Sequence, residues 1–428
     1  MLWLLPAVIY AQNSSGIQFT GETEWSAVLK KAKTEHKTIF VDIYATWCIP
    51  CKEMDKKIYT DITVGDIINK EFISIKMQMD SNKNDNEYIK AWHKNSSNFK
   101  QYIDAFPTLL FFSSNGDLIG RETGYKEKEE FIKIAKEVTD SVYGYSAKLK
   151  AYNNGKLNPS GIAKLAIKAN QNKNNSLAMS IAQSYKTNYL STVNPKEILA
   201  PDFLTFFGIF NSLFSLSDSL ILYIYKNPQI VDKQLNLSGF SSNCISFLIQ
   251  RDMFQSIIDS NRTIVNNNPD WDKLENNISE KLDRKTAKKA ILTEKIYYYA
   301  LKKDWNRKAK FEFEQIDFNG INGLDEENLA TINDVLFNEV FNHDVNKAVL
   351  AKAIKYLSIL LQFRPDNYHF RDTYANLLYK SGNRQMAIKE QKQTILLVAK
   401  GKHEVESYTK TLKKMQNGEP TWITTNGN

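Results

Sequence analysis

The feature that most constrains this chain is a junction. An almost unbroken apolar and β-branched run, Thr38-Ile39-Phe40-Val41-Asp42-Ile43-Tyr44-Ala45, leads straight into Thr46-Trp47-Cys48-Ile49-Pro50-Cys51-Lys52. A run of that kind fits a strand covered on both faces. Pro50 fits the first turn of a helix that continues through Lys57, because the first helical N–H groups have no intrahelical partner to lose. The junction therefore predicts two cysteines, three residues apart, at the start of a helix that follows a buried strand.

The surrounding residues, 17–143, alternate between helical and strand-like spacing. Glu24 to His36 carries Trp25, Val28, Leu29 and Ala32 on one helical face. Phe72 to Met79 reads as a second buried strand, and a polar helical stretch follows from about Asn84 to Tyr102. Thr108 to Phe112 is a strand, Ser113-Ser114-Asn115-Gly116 a turn, and Asp117 to Gly124 the return of a hairpin. Lys126 to Val142 is a final amphipathic helix. Strands alternating with helices, then a hairpin and a helix, predict an α/β domain with a mixed sheet sandwiched by helices.

After about residue 145 the strand signal stops. The rest reads as one helix after another, punctuated by Asn158-Pro159, Asn194-Pro195, Asn227-Pro228 and Asn268-Pro269, spaced 36, 33 and 41 residues apart. A period in the thirties is the signature of stacked helix hairpins. The clearest copy runs from Ala348 to Phe363, from Tyr368 to Lys380 and from Gln385 to Val398, and its Ala375, Leu378, Gly382, Ala387 and Ile388 resemble the tetratricopeptide pattern. The expected organisation is thus a domain over 17–143, an all-α repeat region (an α-solenoid) over 147–415 and a tail over 416–428. The apolar run Phe203 to Tyr225 contains Asn211 and Asp218, so it reads as buried helix rather than as a membrane span.

The first eleven residues, Met1 to Ala11, are apolar, end in a small residue and precede the polar Asn13-Ser14-Ser15-Gly16. They read as a signal peptide over 1–11, which makes the mature chain an exported one, periplasmic or otherwise extracytoplasmic, with no membrane span. The net charge of +8 comes from lysines scattered among acids, as on a solvated surface, so nucleic acid is not an expected partner. Three cysteines are too few for a disulfide-stapled scaffold, and the five histidines have no ligand-like spacing near the pair, so no metal and no cofactor is expected. Cys244 reads as a buried free thiol in a helix.

Val41 to Lys52, together with Phe106-Pro107-Thr108 ahead of a later strand, resembles the thioredoxin family. The resemblance covers about residues 17 to 143. It implies a thiol–disulfide oxidoreductase whose redox-active disulfide joins Cys48 and Cys51. A cysteine at a helix N-terminus feels unpaired N–H dipoles that favour thiolate, so Cys48 is the expected exposed nucleophile and Cys51, deeper, the resolving thiol. The resemblance puts Asp42 beneath Cys51 as the base that takes its proton. Its other reading is an acid paired with a lysine, for which Lys76 is the partner by family position, and the two readings are compatible. Pro107 would be the family's cis-proline beside the disulfide, with Trp47, Phe106 and Thr108 contacting substrate.

Two departures bear on use rather than on chemistry. Ile49 stands where a glycine is common, and Ser81 to Tyr102 is longer and more polar than the usual helix. No histidine lies between the cysteines to stabilise the thiolate, which favours a reductase or isomerase over an oxidase. The implied partners are protein disulfide or dithiol substrates, an upstream electron-donor protein, and a partner protein recruited by the helical repeats. The alternative is an interaction scaffold in which the repeats act and the first domain is structural. Retention of both cysteines, Asp42 and Phe106-Pro107-Thr108 argues against it.

Overall fold

The computed structural model describes residues 16–199 and 201–422; the expected signal peptide lies outside the described residues. The described chain divides into two compact units. The first runs to Phe214 and takes in Lys233–Asn236; the second takes in Ser215–Asp232 and continues from Leu237.

The first unit opens with helix α1 (Trp25–Glu35), which buries Val28 and Ala32 and ends where His36 turns left-handed at φ 54°. Strand β1 (Thr38–Tyr44) follows, then α2 (Ile49–Glu53), which passes into a π-helical turn over Met54–Ile58. Helix α3 (Ile62–Glu71) leads into β2 (Phe72–Gln78). Helix α4 (Glu87–Asn95) and a 3₁₀ stretch (Ser96–Tyr102) precede β3 (Thr108–Phe112), β4 (Leu118–Thr123) and α5 (Lys128–Thr139). The four strands form one mixed sheet in the order β2-β1-β3-β4. β1 is central, parallel to β2 and antiparallel to β3, and β3 pairs antiparallel with β4.

Alternation along β1 builds two cores. Ile39, Val41 and Ile43 pack with Val28 and Ala32 of α1 and Trp92 of α4. Phe40, on the opposite face, packs with Met54, Ile58, Val64, Ile68, Leu109 and Phe111. Asp42 shares the Phe40 face by strand parity. An acid is thereby placed on a face otherwise filled by apolar side chains.

Beyond α5 the described residues of this unit are helical, beginning with α6 (Tyr145–Asn153), α7 (Pro159–Gln171) and α8 (Asn175–Tyr185). Two of the Asn-Pro pairs start helices in the same way. The Asn158 side chain accepts from the Gly161 N–H and Pro159 occupies the first helical position, so the dipeptide is a cap followed by a preset φ. Asn194-Pro195 does the same for the short helix Pro195–Ile198. Arg121 of β4, nearly buried, donates to the carbonyls of Tyr102 and Gln171 and pairs with Asp104 at 2.8 Å, tying the sheet edge to the end of α7.

The second unit's described residues are helical, apart from turns and one isolated bridge between Ile258 and Ile264. Helices Lys347–Phe363, Tyr368–Lys380 and Arg384–Lys400 match the clearest repeat read from sequence, and Ala375, Leu378 and Ala387 are buried together. Gly382 turns between the last two at φ 95°, a conformation that strains any residue with a Cβ. The apolar run from Phe203 is not one helix: helix Pro201–Phe210 ends, a 3₁₀ turn covers Asn211–Leu213, and a new helix begins at Ser219. The Asp218 carboxylate accepts from the Ser215 N–H, so the polar residues inside the run serve as a helix break. Among the described residues, no helix is long and apolar enough to cross a membrane.

Candidate functional site

Cys48 and Cys51 form a disulfide, S–S 2.02 Å, at the start of α2. Cys48 is the N-cap residue, and the Cys51 N–H points at its sulfur at 3.1 Å. Pro50 sits in the first turn, as its missing donor allows. The expectation of an exposed Cys48 over a deeper Cys51 is not what the fold gives: both are 3% exposed. Ala45, Tyr44 and Phe106 close around the two sulfurs. What faces solvent is the flanking pair, Trp47 at 67% and Ile49 at 72% exposure.

The peptide Phe106–Pro107 is cis. Phe106 packs against the disulfide cluster and meets the Trp47 ring edge-on at 5.6 Å, so two of the residues expected to contact substrate line one side of the pair. The Pro107 carbonyl accepts from the Gly124 N–H at 2.8 Å, which anchors the loop to the end of β4. Thr108 is fully buried and its hydroxyl donates to the Ala105 carbonyl at 2.6 Å. Its side chain supports the loop from within and is not presented to an incoming chain.

Asp42 is 2% exposed, and its Oδ1 has no hydrogen-bond partner. Burial pushes its carboxyl up from the ordinary 3.8 to about 7. The Lys76 charge opposes that rise, the Asp55 charge adds to it, and the Tyr59 hydroxyl opposes it. Lys76 stands directly across from Asp42 in the β1–β2 register, as the family position implies. Its ammonium nevertheless makes its ion pair with Asp55 of the π-helical turn, and lies over the Tyr44 ring at 5.0 Å. The buried acid is thus left with a nearby positive charge but no contact salt bridge.

Three contributors were not legible in the sequence as isolated residues. Asp55 and Tyr59 reach Asp42 and Lys76 from the turn after α2. Asp80 holds the loop before the cysteines: its carboxylate accepts from the Thr46 N–H at 2.8 Å and from the Thr46 hydroxyl. Asn82 donates to the same hydroxyl at 3.2 Å, and Gln78 donates to the Asp80 carbonyl at 2.7 Å. Parallel register was the available signal. Tyr44 pairs with Gln78, so two residues further on Thr46 must come level with Asp80. Cys244 is buried in helix Phe240–Ile249, and burial pushes its thiol up to about 12, as an inert core cysteine. Among the described residues no cluster could hold a metal ion.

A mixed four-stranded sheet with a disulfide at the N-terminus of the helix after its central strand, facing a cis-proline loop, defines a thioredoxin-like domain. The family model for the thioredoxin-like domain (Thioredoxin_2) matches residues 25–139. This segment is similar to the thiol:disulfide interchange protein DsbD of Colwellia psychrerythraea, 30% identical over 131 residues, covering 30% of this chain and 20% of that protein. It is 34% identical over 112 residues to the DsbD of Pseudoalteromonas atlantica, covering 26% of this chain and 17% of that one. A solved structure from Bacteroides thetaiotaomicron, described as a proposed disulphide-isomerase, is 32% identical and covers 30% of this chain and 97% of its own, with a TM-score of 0.25. This chain spans about a fifth of the length of the curated relatives it matches.

Proposed function

We propose that this chain is an extracytoplasmic thiol–disulfide oxidoreductase that reduces or isomerises protein disulfides through Cys48 and Cys51. The observation that carries the reading is the Cys48–Cys51 disulfide at the N-terminus of α2, just after a strand whose one acid, Asp42, is buried. Similarity of the same segment to thiol:disulfide interchange proteins supports it.

In the reducing direction the Cys48 thiolate attacks one sulfur of a substrate disulfide. That S–S bond breaks, the departing substrate thiolate takes a proton, and a Cys48–substrate disulfide forms. Cys51 then loses its proton to the Asp42 carboxylate and attacks the Cys48 sulfur. The Cys48–Cys51 bond is restored and the second substrate thiol leaves. Two electrons have passed to the substrate, and an upstream electron-donor dithiol returns them to the pair. A carboxyl near pH 7 is matched to this exchange, because it can hold or release a proton at working pH.

Substrate would lie on exposed Trp47 and Ile49, against Phe106 and along the Pro107 loop as an added extended segment. Thr108 would act on that segment only through the loop it braces. The helical repeats would recruit a partner protein, and the apolar Met1 to Ala11 run would direct export.

The test is dithiol-driven reduction of a protein disulfide such as insulin by the intact chain and by Cys48→Ser. The intact chain should be faster by about 100-fold or more. Equal rates would rule the enzyme reading out.

A further inference from the structure

The second unit contains a cavity of about 340 Å³ that the redox chemistry does not use. It lies between helix Phe240–Ile249 with the following turn and helix Arg284–Leu301. Ile245, Ile249, Phe254 and Glu294 of its lining are buried, while Ser242, Ser246 and Lys289 are exposed at its edge. Volume and lining match a small-molecule site, apolar with a few convergent polar groups.

Glu294 is the acid in this lining. It is 4% exposed, and its Oε1 has no hydrogen-bond partner. A buried carboxyl oxygen without a donor destabilises the fold, because its lost hydration is not replaced. Among the described residues, none acts on Glu294 as a counter-charge. Lys289, on the same helix, lies at the exposed edge. Tyr225 donates its hydroxyl proton to Asp283 and shares a hydrogen bond with the Thr286 hydroxyl. Gln250 is the polar neighbour that acts on Glu294, and Arg251 pairs with Asp252. On the helices packed at either side, Glu314 pairs with Lys288, while Asp272 and Glu275 act on Lys295. Burial accordingly pushes the Glu294 carboxyl up to about 7, with the Gln250 hydrogen bond opposing it.

We propose that this cavity binds a primary ammonium group carried on an aliphatic chain, with the Glu294 carboxylate as its counter-ion and Ile245, Ile249 and Phe254 around the chain. An ammonium supplies the donor that Oε1 lacks and the charge the surroundings withhold. The serine hydroxyls at the edge can accept its remaining N–H bonds. The same group could arrive on a free alkylamine or on the lysine side chain of a peptide.

The test titrates the full chain with n-hexylamine, with hexan-1-ol and with Nα-acetyl-lysine amide, at pH 6 and pH 8. Hexylammonium keeps its proton throughout, so its affinity should follow ionisation of Glu294 and rise about tenfold between the two pH values. It should exceed that of hexan-1-ol about tenfold or more at pH 8, and Glu294→Gln should erase the preference. Binding of the lysine amide in the same way would identify a peptide source; its absence beside hexylammonium binding would identify a free amine. Should Glu294→Gln lose its helical signal, Ala290→Trp, which fills the cavity from the same helix, replaces it and should abolish binding. Equal affinity for amine and alcohol, retained preference in Glu294→Gln, retained binding in Ala290→Trp, or no saturable binding of either amine would each overturn the proposal.

Discussion

Lys76 makes its ion pair with Asp55, although the parallel register sets it directly across from Asp42. This divides the work of the three charges. Asp55 takes the contact, and Asp42 keeps a buried carboxyl that can exchange a proton near neutrality. Removing one of the three should therefore shift the behaviour of another.

Asp55→Asn removes a charge that raises the Asp42 carboxyl and frees Lys76, which lowers it. Both changes act in one direction. The acid limb of the pH–rate profile for disulfide reduction should move to lower pH. An unmoved limb would mean that Asp55 does not act on the titrating group.

Asp42→Asn separates stability from activity. The Asp42 carboxyl is raised in the folded state, so its contribution is favourable below the unfolded value of 3.8 and is lost as pH rises through about 7. Full loss amounts to at most about 4 kcal/mol above pH 7. The variant should match the parent in urea unfolding near pH 4 and exceed it by about 2–4 kcal/mol at pH 8. At neutral pH it should reduce insulin about 100-fold more slowly, having lost the group that accepts the Cys51 proton. A variant less stable than the parent at pH 8 would show that Asp42 is paired rather than stranded.

Asp80→Ala leaves the Thr46 N–H and hydroxyl without their acceptor. The loss of this pair should lower stability by about 1–3 kcal/mol. Because Thr46 leads directly into Trp47 and Cys48, disulfide reduction should slow more than stability alone explains. Asp80→Asn, which can still accept from Thr46, should recover part of the rate. The readout is the rate of each variant at a temperature where both are fully folded.

Phe111→Ala tests the core beneath the site. Phe111 is fully buried and its ring stacks on Phe40 at 5.3 Å. Its removal should cost about 3–5 kcal/mol in urea unfolding. A cost below about 1 kcal/mol would contradict the packing of this face.

The parts of this arrangement that are local in the chain were legible in the sequence. β3 was read over Thr108 to Phe112 because an apolar run is bounded by Pro107 and by Ser113-Ser114-Asn115-Gly116, and the structure has the same limits. The Asn-Pro pairs were read as punctuation, and Asn158-Pro159 turns out to be a cap and a first turn. Helix α3 carries little sequence signal: it is short, and its cap, the Asp61 carboxylate on the Val64 N–H, is a single polar residue among many. The apolar run from Phe203 reads as buried helix because composition does not reveal that the Asp218 carboxylate holds the Ser215 N–H in a turn between two helices. What sequence could not give was long-range choice. The partner of Lys76 is decided between a strand and a turn about 20 residues earlier, and the equal burial of Cys48 and Cys51 is decided by Phe106 folding back from far along the chain.

The central claim is that Cys48 attacks and Cys51 resolves. Cys51→Ser and Cys48→Ser chains, incubated with an extracytoplasmic protein extract and separated without reductant, test it most directly. The account predicts covalent adducts on Cys51→Ser that a reductant releases, and few or none on Cys48→Ser. Adducts on Cys48→Ser alone, or equally on both, would contradict it.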